Sequence, residues 1–398
     1  MRPNRRRWLE AAGALAATGG PWLPTVLAAE AAKPSAKAAA GAGVAHKPRV
    51  LAFPRDAGAH PEFKTEWWYI TGWVGGAGDA CGAGGTAVAD TPAYGFQLTF
   101  FRSRVDGTQA MQSRLAARQL LFAHAAITDV KGQRLWHDQR VARWSGEAPG
   151  QNAMDTASAS TTDTGVLLRD WSLLREDARE GAPLHARLKA EGFAMDLRFT
   201  VSQPLLLQGQ QGLSRKGPDE KQASYYYSQP QLATTGSLRI KDQTFEVKGV
   251  AWLDHEWSQE LLAPGAIGWD WIGMNLLDGS ALTAFRLRDK TGQALWDGGS
   301  FRTARGDPHT FSRGEVLFKP TRLWKSPLTQ TSYPVEWIVR TPADFYTVKA
   351  VIDNQELDSR QSTGSIYWEG LSELIDSNGK RVGMGYLEMT GYHTPLRM

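Results

Sequence analysis

The chain has 398 residues, enough for two or three domains. At 42% hydrophobic and 22% charged it is neither a disordered polyelectrolyte nor a coiled coil, and it contains no run of about 18 apolar residues that would mark a polytopic membrane protein. A single cysteine, Cys81, excludes an intrachain disulfide framework and a thiolate-rich metal site, while 16 tryptophans point to aromatic-lined β architecture or apolar pockets.

The net charge of +4 sits at the start of the chain, where Arg2, Arg5, Arg6 and Arg7 face only Glu10. Removing that local +3 leaves +1 and no basic groove, so no nucleic-acid partner is expected. Asn4-Arg5-Arg6-Arg7-Trp8-Leu9 resembles a twin-arginine export signal, followed by a weakly apolar stretch and small residues suited to cleavage. Residues 1–29 are therefore expected to be a signal peptide, with the twin-arginine export machinery as partner and the periplasm or exterior as destination. Residues 30–48, rich in Ala, Lys, Gly and Pro, read as a flexible linker.

From His60 onward the pattern is β. Met195, Leu197, Phe199 and Val201 alternate with Ala194, Asp196, Arg198 and Thr200, as in a strand with one buried face. Glu66–Val74 and Tyr94–Arg102 are further strand candidates, and Asp106-Gly107, Asp278-Gly279 and Asn378-Gly379 are turn signals. The glycine-rich residues 75–85 read as a long hairpin loop and not a phosphate cradle. Ile127–Trp136 matches Leu287–Trp296 at an offset of 160, with Asp, Gly, Gln, Leu and Trp coinciding. Thr71-Gly72 matches Thr235-Gly236, and Pro183 with Phe193 matches Pro334 with Phe345. The expected architecture is all-β: two tandem antiparallel barrels related by internal duplication, over residues 49–215 and 216–398, with the junction in the Gln-, Gly- and Lys-rich stretch 208–224. Each half has the size of a barrel of roughly eight strands that holds one small ligand; a sandwich is the main rival, and the aromatic richness favours a barrel with an apolar lumen.

The strings His60-Pro61-Glu62-Phe63-Lys64-Thr65-Glu66-Trp67-Trp68-Tyr69 and Gly249-Val250-Ala251-Trp252-Leu253-Asp254-His255-Glu256-Trp257 are unusual. With Tyr225-Tyr226-Tyr227, Gly268-Trp269-Asp270-Trp271 and Gly385–Tyr392, they resemble the AttH/CrtC family in order and from about residue 50 onward. That family includes hydroxyneurosporene synthase, the carotenoid 1,2-hydratase. The resemblance implies two lipocalin-like domains and a small apolar ligand, isoprenoid or lipid. It also implies roles for a His-x-Trp pair, matched by His255 and Trp257, and for an aspartate, for which Asp254 and Asp270 are rivals.

Hydrating an isolated double bond needs an acid near the alkene, π faces for the cation, a dry pocket and one controlled water. Asp254, His255, Trp257 and Asp270 are the candidate catalytic residues on those grounds. Glu66, Trp68, Tyr226, Glu256, Trp269 and Trp271 are the candidate ligand-binding residues. Strand alternation points His255 and Trp257 inward and Asp254 outward unless a bulge re-aims it. Trp269 and Trp271 share one face, opposite Asp270, and Glu388 and Tyr392 are expected to close the second barrel. The eight histidines show no ligand spacing, so neither a metal nor a cofactor is expected. The expected activity is carotenoid 1,2-hydratase-like hydration or isomerisation. The rival reading is a lipophile carrier or an accessory to an envelope export system, with an envelope ABC-type transporter as candidate partner.

Overall fold

The computed structural model describes residues 48–76, 92–177, 179, 181–260 and 262–396. The expected signal peptide, nearly all of the linker and most of the glycine-rich stretch after Gly76 lie outside the described residues. Within them there is no α-helix, only the short 3-10 turns Arg55–Ala57 and Asp106–Thr108, and so no helix able to cross a membrane.

The first sheet opens with a meander of β1 (Thr65–Gly76), β2 (Tyr94–Arg104), β3 (Gln119–Asp129) and β4 (Arg134–Trp144). Shorter strands follow: β5 (Ala157–Ala159), β6 (Gly165–Leu168), β7 (Trp171–Arg175), β8 (Leu184–Lys189) and β9 (Phe193–Thr200). Two fragments, β10 (Leu206–Leu207) and β11 (Leu213–Arg215), precede the long hairpin of β12 (Ala223–Ile240) and β13 (Gln243–Ser258). The second sheet contains β14 (Gly268–Leu276), β15 (Ala281–Arg288), β16 (Ala294–Arg302), β17 (His309–Phe311) and β18 (Leu317–Lys325). It ends with β19 (Ser332–Arg340), β20 (Phe345–Ala350), β21 (Glu356–Ser359), β22 (Ser365–Ile375) and β23 (Arg381–Met389).

All pairings are antiparallel, and both sheets follow one plan. The last strand returns to clasp the first, β13 on β1 and β23 on β14, as a lipocalin-like barrel requires. The plan repeats in detail: Glu66 of β1 lies opposite Arg102 of β2, and Asp270 of β14 lies opposite Arg286 of β15. The sequence matches follow that plan only in part. The hairpins beginning at Pro183 and Pro334 fall on equivalent pairs, β8–β9 and β19–β20. Trp136 lies in the fourth strand of its sheet but Trp296 in the third of the other, so the offset-160 match is one strand out of step. Thr71-Gly72 and Thr235-Gly236 belong to the same first sheet.

The expected division at 215/216 does not coincide with the sheet boundary. β12 and β13 complete the first sheet, and the second begins at Gly268, because the glutamine-rich stretch leads into a closing hairpin and not into a new domain. Alternation does place the first core correctly. Met195, Leu197 and Phe199 are buried in β9, while Val201 lies beyond its end and is exposed. Asp278-Gly279 and Asn378-Gly379 turn between paired strands with positive φ at glycine, whereas Asp106-Gly107 sits in a longer loop.

In an isolated antiparallel barrel the outward face is polar. Here β13 is buried on both faces from Ala251 to Ser258, and β1 nearly throughout. The outward residues Tyr69, Trp73 and Trp252 of the first sheet pack with Trp271, Phe285, Leu371, Met384 and Tyr386 of the second. This apolar seam joins the two barrels. Polar bonds register it, including Asn275 Nδ2 to the Ala251 carbonyl at 3.0 Å and Thr128 Oγ1 to Gln355 at 2.8 Å. A bulge at Pro230-Gln231 turns the Gln231 N–H outward onto Asn275 Oδ1, at 2.9 Å.

Candidate active site

The seam encloses a pocket of about 100 Å³. β1 contributes Trp67 and Tyr69, β12 contributes Tyr226, β13 contributes Asp254 and Glu256, and Lys216 reaches in from the segment after β11. The second barrel adds Trp269, Trp271 and Phe285 from β14 and β15, and Glu369 and Glu388 from β22 and β23.

Asp254 is fully buried and accepts three hydrogen bonds. Tyr226 Oη donates at 2.7 Å, Ser228 Oγ at 2.6 Å and Trp252 Nε1 at 2.7 Å. Burial nevertheless pushes its carboxyl up to about 7, with the three donors opposing and the charge of Glu256 assisting. Tyr226 Oη also accepts from Trp271 Nε1 at 3.2 Å, so the second barrel orients the phenol that orients the acid. Glu256 takes a proton donor from Ser224 and an ion pair from Lys216 Nζ at 3.0 Å. The lysine ammonium lies 4.3 Å from the Phe285 ring centroid.

Glu369 and Glu388 face each other across β22 and β23, Glu369 buried and Glu388 half-buried. Burial raises Glu369 well above the carboxylate range, and its neighbour's charge raises it further. Glu388 is pushed up to about 7, by burial first and by the charges of Asp254 and Glu256, against a bond from Trp269. Lys216 is the one cation among the described residues lining the pocket, and Glu256 uses it. Three acids therefore remain without a countercharge in apolar surroundings, where carboxylates are costly and protons are retained.

His255 and Trp257 point to the other side of β13, into the first barrel, as alternation indicates. The expected single constellation of Asp254 with His255 is thus divided by the strand. His255 Nε2 lies 3.0 Å from Glu66 Oε1, and its ring stacks on Trp68 at 4.7 Å. His60 stacks on Trp257 at 3.8 Å, with Nδ1 at 2.7 Å from Glu66 Oε1 and Nε2 at 3.0 Å from Asp56. Arg102 holds Glu66 Oε2 at 2.8 Å. Burial lowers the pKa of His255; for His60 burial opposes, but the charge of Glu66 and the bonds to Asp56 and Glu66 prevail and raise it. Glu66 and Trp68 are consequently parts of this network and do not line the pocket between the barrels.

The same network groups His60, Glu66 and His255 as a possible ligand set, with ligand atoms within 4.8 Å of one another. Residue spacing could not reveal it, since His60 precedes β1 and His255 lies far along the chain in β13, the strand that pairs with β1. The donor set suits shared protons better than a cation. Glu66 Oε1 already bridges both imidazoles, and the Arg102 guanidinium occupies the adjoining position.

Asp270 is the second expectation the structure revises. It lies at 2.7 Å from Arg286, 2.9 Å from Arg288 and 2.9 Å from Tyr392 Oη, on the face of β14 opposite Trp269 and Trp271. Its charge is compensated by two guanidiniums, that of Arg288 buried and that of Arg286 partly buried, and it is absent from the pocket. Tyr392 closes the second barrel with it, as expected, while Glu388 turns into the pocket instead. Tyr226, Glu256, Trp269 and Trp271 do line the pocket. Sequence reasoning passed over Glu369, Lys216 and Phe285; an acid after Tyr367-Trp368 was the available signal for the first.

The AttH-like family model matches residues 44–392. The chain belongs to the AttH-like family. An AttH homologue from Nitrosomonas europaea is 41% identical, with a TM-score of 0.75 over 86% of this chain and 98% of that one. Kievitone hydratase from Nectria haematococca is 13% identical, with a TM-score of 0.62 over 87% of this chain and 94% of that one, and shares the fold. Among curated proteins none matches in sequence. Membership in the AttH-like family covers both barrels, and so the whole of the pocket between them.

Proposed function

We propose that this AttH-like protein protonates a carbon–carbon double bond of an apolar or amphipathic molecule, isoprenoid or lipid, and hydrates or isomerises it as carotenoid 1,2-hydratases do. The observation that carries this reading is the placement of Asp254, a buried carboxyl with no cation beside it, facing a pocket lined by Trp67, Trp269 and Trp271, where burial pushes it up to about 7. A proton passes from Asp254 to one alkene carbon. The cation left on the other carbon is eased by the indole π faces and by any ionised member of the Glu369–Glu388 pair. In hydration a water oxygen bonds to that carbon, and its surplus proton goes to the ionised glutamate. In isomerisation that glutamate takes a proton from a neighbouring C–H instead, and the C–H electron pair forms the new double bond. Exchange among the four acids then restores Asp254. Kinship of fold with kievitone hydratase supports the reaction class. His255, Trp257, Glu66 and Trp68 hold β13 and β1 in register, and Asp270 anchors β14; none of them touches the reacting atoms in this reading.

The test is turnover of Asp254→Asn against wild type on a panel of isoprenoid and lipid alkenes. Loss of about 10²–10⁴-fold with affinity retained is expected for removal of one general acid. Unchanged turnover would remove Asp254 from the mechanism. The carrier reading is favoured by one observation, the engagement of both Asp254 oxygens by the protein's own donors; tight binding with no hydrated or isomerised product would decide for it. The Arg5-Arg6 pair supports delivery to the periplasm by the twin-arginine machinery. There an envelope ABC-type transporter is the partner the carrier reading requires.

A further inference from the structure

The acid pocket is small. At about 100 Å³ it admits a short unsaturated segment, below the roughly 300–1,000 Å³ usual for small-molecule sites. The remainder of any substrate must lie outside it. Phe285 forms a wall of the acid pocket and also of a neighbouring cavity of about 590 Å³ between the β11 region and β15–β17. The Phe285 ring lies over Gly298, where a Cβ would come within 3.2 Å of it, so the glycine leaves the ring its place between the two spaces.

The second cavity has a different chemistry. Its walls carry Gln208, Gln210, Ser214, Thr310 and Ser312, and two arginines meet over one indole. The guanidinium carbons of Arg215 and Arg313 lie 5.6 and 5.0 Å from the Trp296 ring centroid. Neither arginine forms an ion pair among the described residues. Arg215 gives Nη2 to the carbonyls of Gly217 and Pro218, and its buried Nε has no hydrogen-bond partner there. Arg313 is exposed and gives one bond, to the Leu295 carbonyl at 3.3 Å. Two acids also line the cavity: Glu220, which is exposed, and Asp297, which accepts the backbone N–H groups of Gly314 and Val316 at 2.8 and 3.3 Å and feels the charge of Arg313. Two guanidiniums on an aromatic platform, with free donors and no ion pair to the Asp297 and Glu220 carboxyls that also line the cavity, suit an anionic oxygen group.

We propose that this cavity binds the carboxylate or phosphate head of an amphipathic substrate whose unsaturated chain passes Phe285 into the acid pocket. The proposal rests on the reading of the pocket as the reactive site and names the class of molecule it takes. A wholly apolar hydrocarbon would leave both arginines unused.

Calorimetric titration with farnesol, farnesoic acid and farnesyl monophosphate tests it, since the three share a chain and differ in the head. Charge-assisted hydrogen bonds predict that at least one of the two anions binds about tenfold or more tightly than farnesol at low salt. The advantage shrinks in high salt and is lost in Arg215→Gln and in Arg313→Gln. The second variant alters an exposed side chain with one hydrogen bond, so it keeps the test valid if Arg215→Gln fails to fold. Which anion binds more tightly separates carboxylate from phosphate. Equal affinity for all three probes, or a preference that survives Arg313→Gln and any folded Arg215→Gln, overturns the proposal. Asp254→Asn retains the preference; its loss there would put the anion in the acid pocket and overturn the subsite. Preference intact with no turnover of any probe by wild type would leave the subsite standing and count against the reaction.

Discussion

Asp254→Asn gives a stability prediction that needs no knowledge of the substrate. The amide reproduces the protonated acid: Oδ1 still accepts from Ser228 and Trp252, and Nδ2 donates to the Tyr226 oxygen, whose own proton is free to turn. In the wild type the carboxyl moves from 3.8 to about 7 on folding, corresponding to about 4 kcal/mol of coupling between ionisation and folding. The sign follows from proton binding. Between pH 4 and pH 7 the native state holds the proton and the unfolded chain has released it, so wild-type stability falls as pH rises through that window. The asparagine variant lacks this contribution and, because the Asp254 charge helps raise Glu388, part of that of Glu388 as well, while keeping that of Glu369. Urea denaturation at several pH values should therefore give similar stabilities near pH 4, with the variant gaining on wild type by up to about 4 kcal/mol by pH 8. Parallel curves would mean that Asp254 is an ordinary ionised carboxylate and that the pocket holds no transferable proton at neutral pH.

Glu388→Gln removes the charge that helps raise Glu369, so the Glu369 pKa should fall, read as a downward shift of the remaining carboxyl titration by infrared spectroscopy. Asp270→Asn should destabilise the fold by about 3–5 kcal/mol, because the buried Arg288 and the partly buried Arg286 lose their countercharge, with activity per folded molecule retained. Lost activity in a fully folded Asp270→Asn would return that aspartate to the site. Changing Arg5 and Arg6 to lysine should leave full-length precursor in the cytoplasm; unchanged delivery, read by cell fractionation, would remove the twin-arginine assignment.

Much of the fold could be read along the chain because its determinants are local. Period-two alternation in β9, the aromatic strands β1 and β2 and the glycine turns all depend on neighbours within a few residues. Alternation also placed Asp254 and His255 on opposite faces of β13. What lies beyond the outward face was not legible, since it depends on side-chain packing between two separate sheets, which has no sequence periodicity of its own. The run Ala251–Ser258, apolar and polar residues alike buried on both faces, shows how an outer face becomes an inner one once a second barrel covers it. For the same reason Asp270 looked equivalent to Asp254: each acid is flanked by aromatics, and only the arginines at positions 286 and 288 distinguish them. The domain boundary moved because composition marks a loop but not which sheet the next hairpin joins.

The most direct measurement is the ionisation of Asp254 itself. Infrared difference spectra between wild type and Asp254→Asn, taken from pH 4 to pH 9, isolate its protonated carbonyl band. The expected band persists through pH 6 and disappears with a midpoint near 7. A band already gone at pH 5 would show an ordinary carboxylate, and the pocket between the barrels would then lack the acid that the proposed chemistry requires.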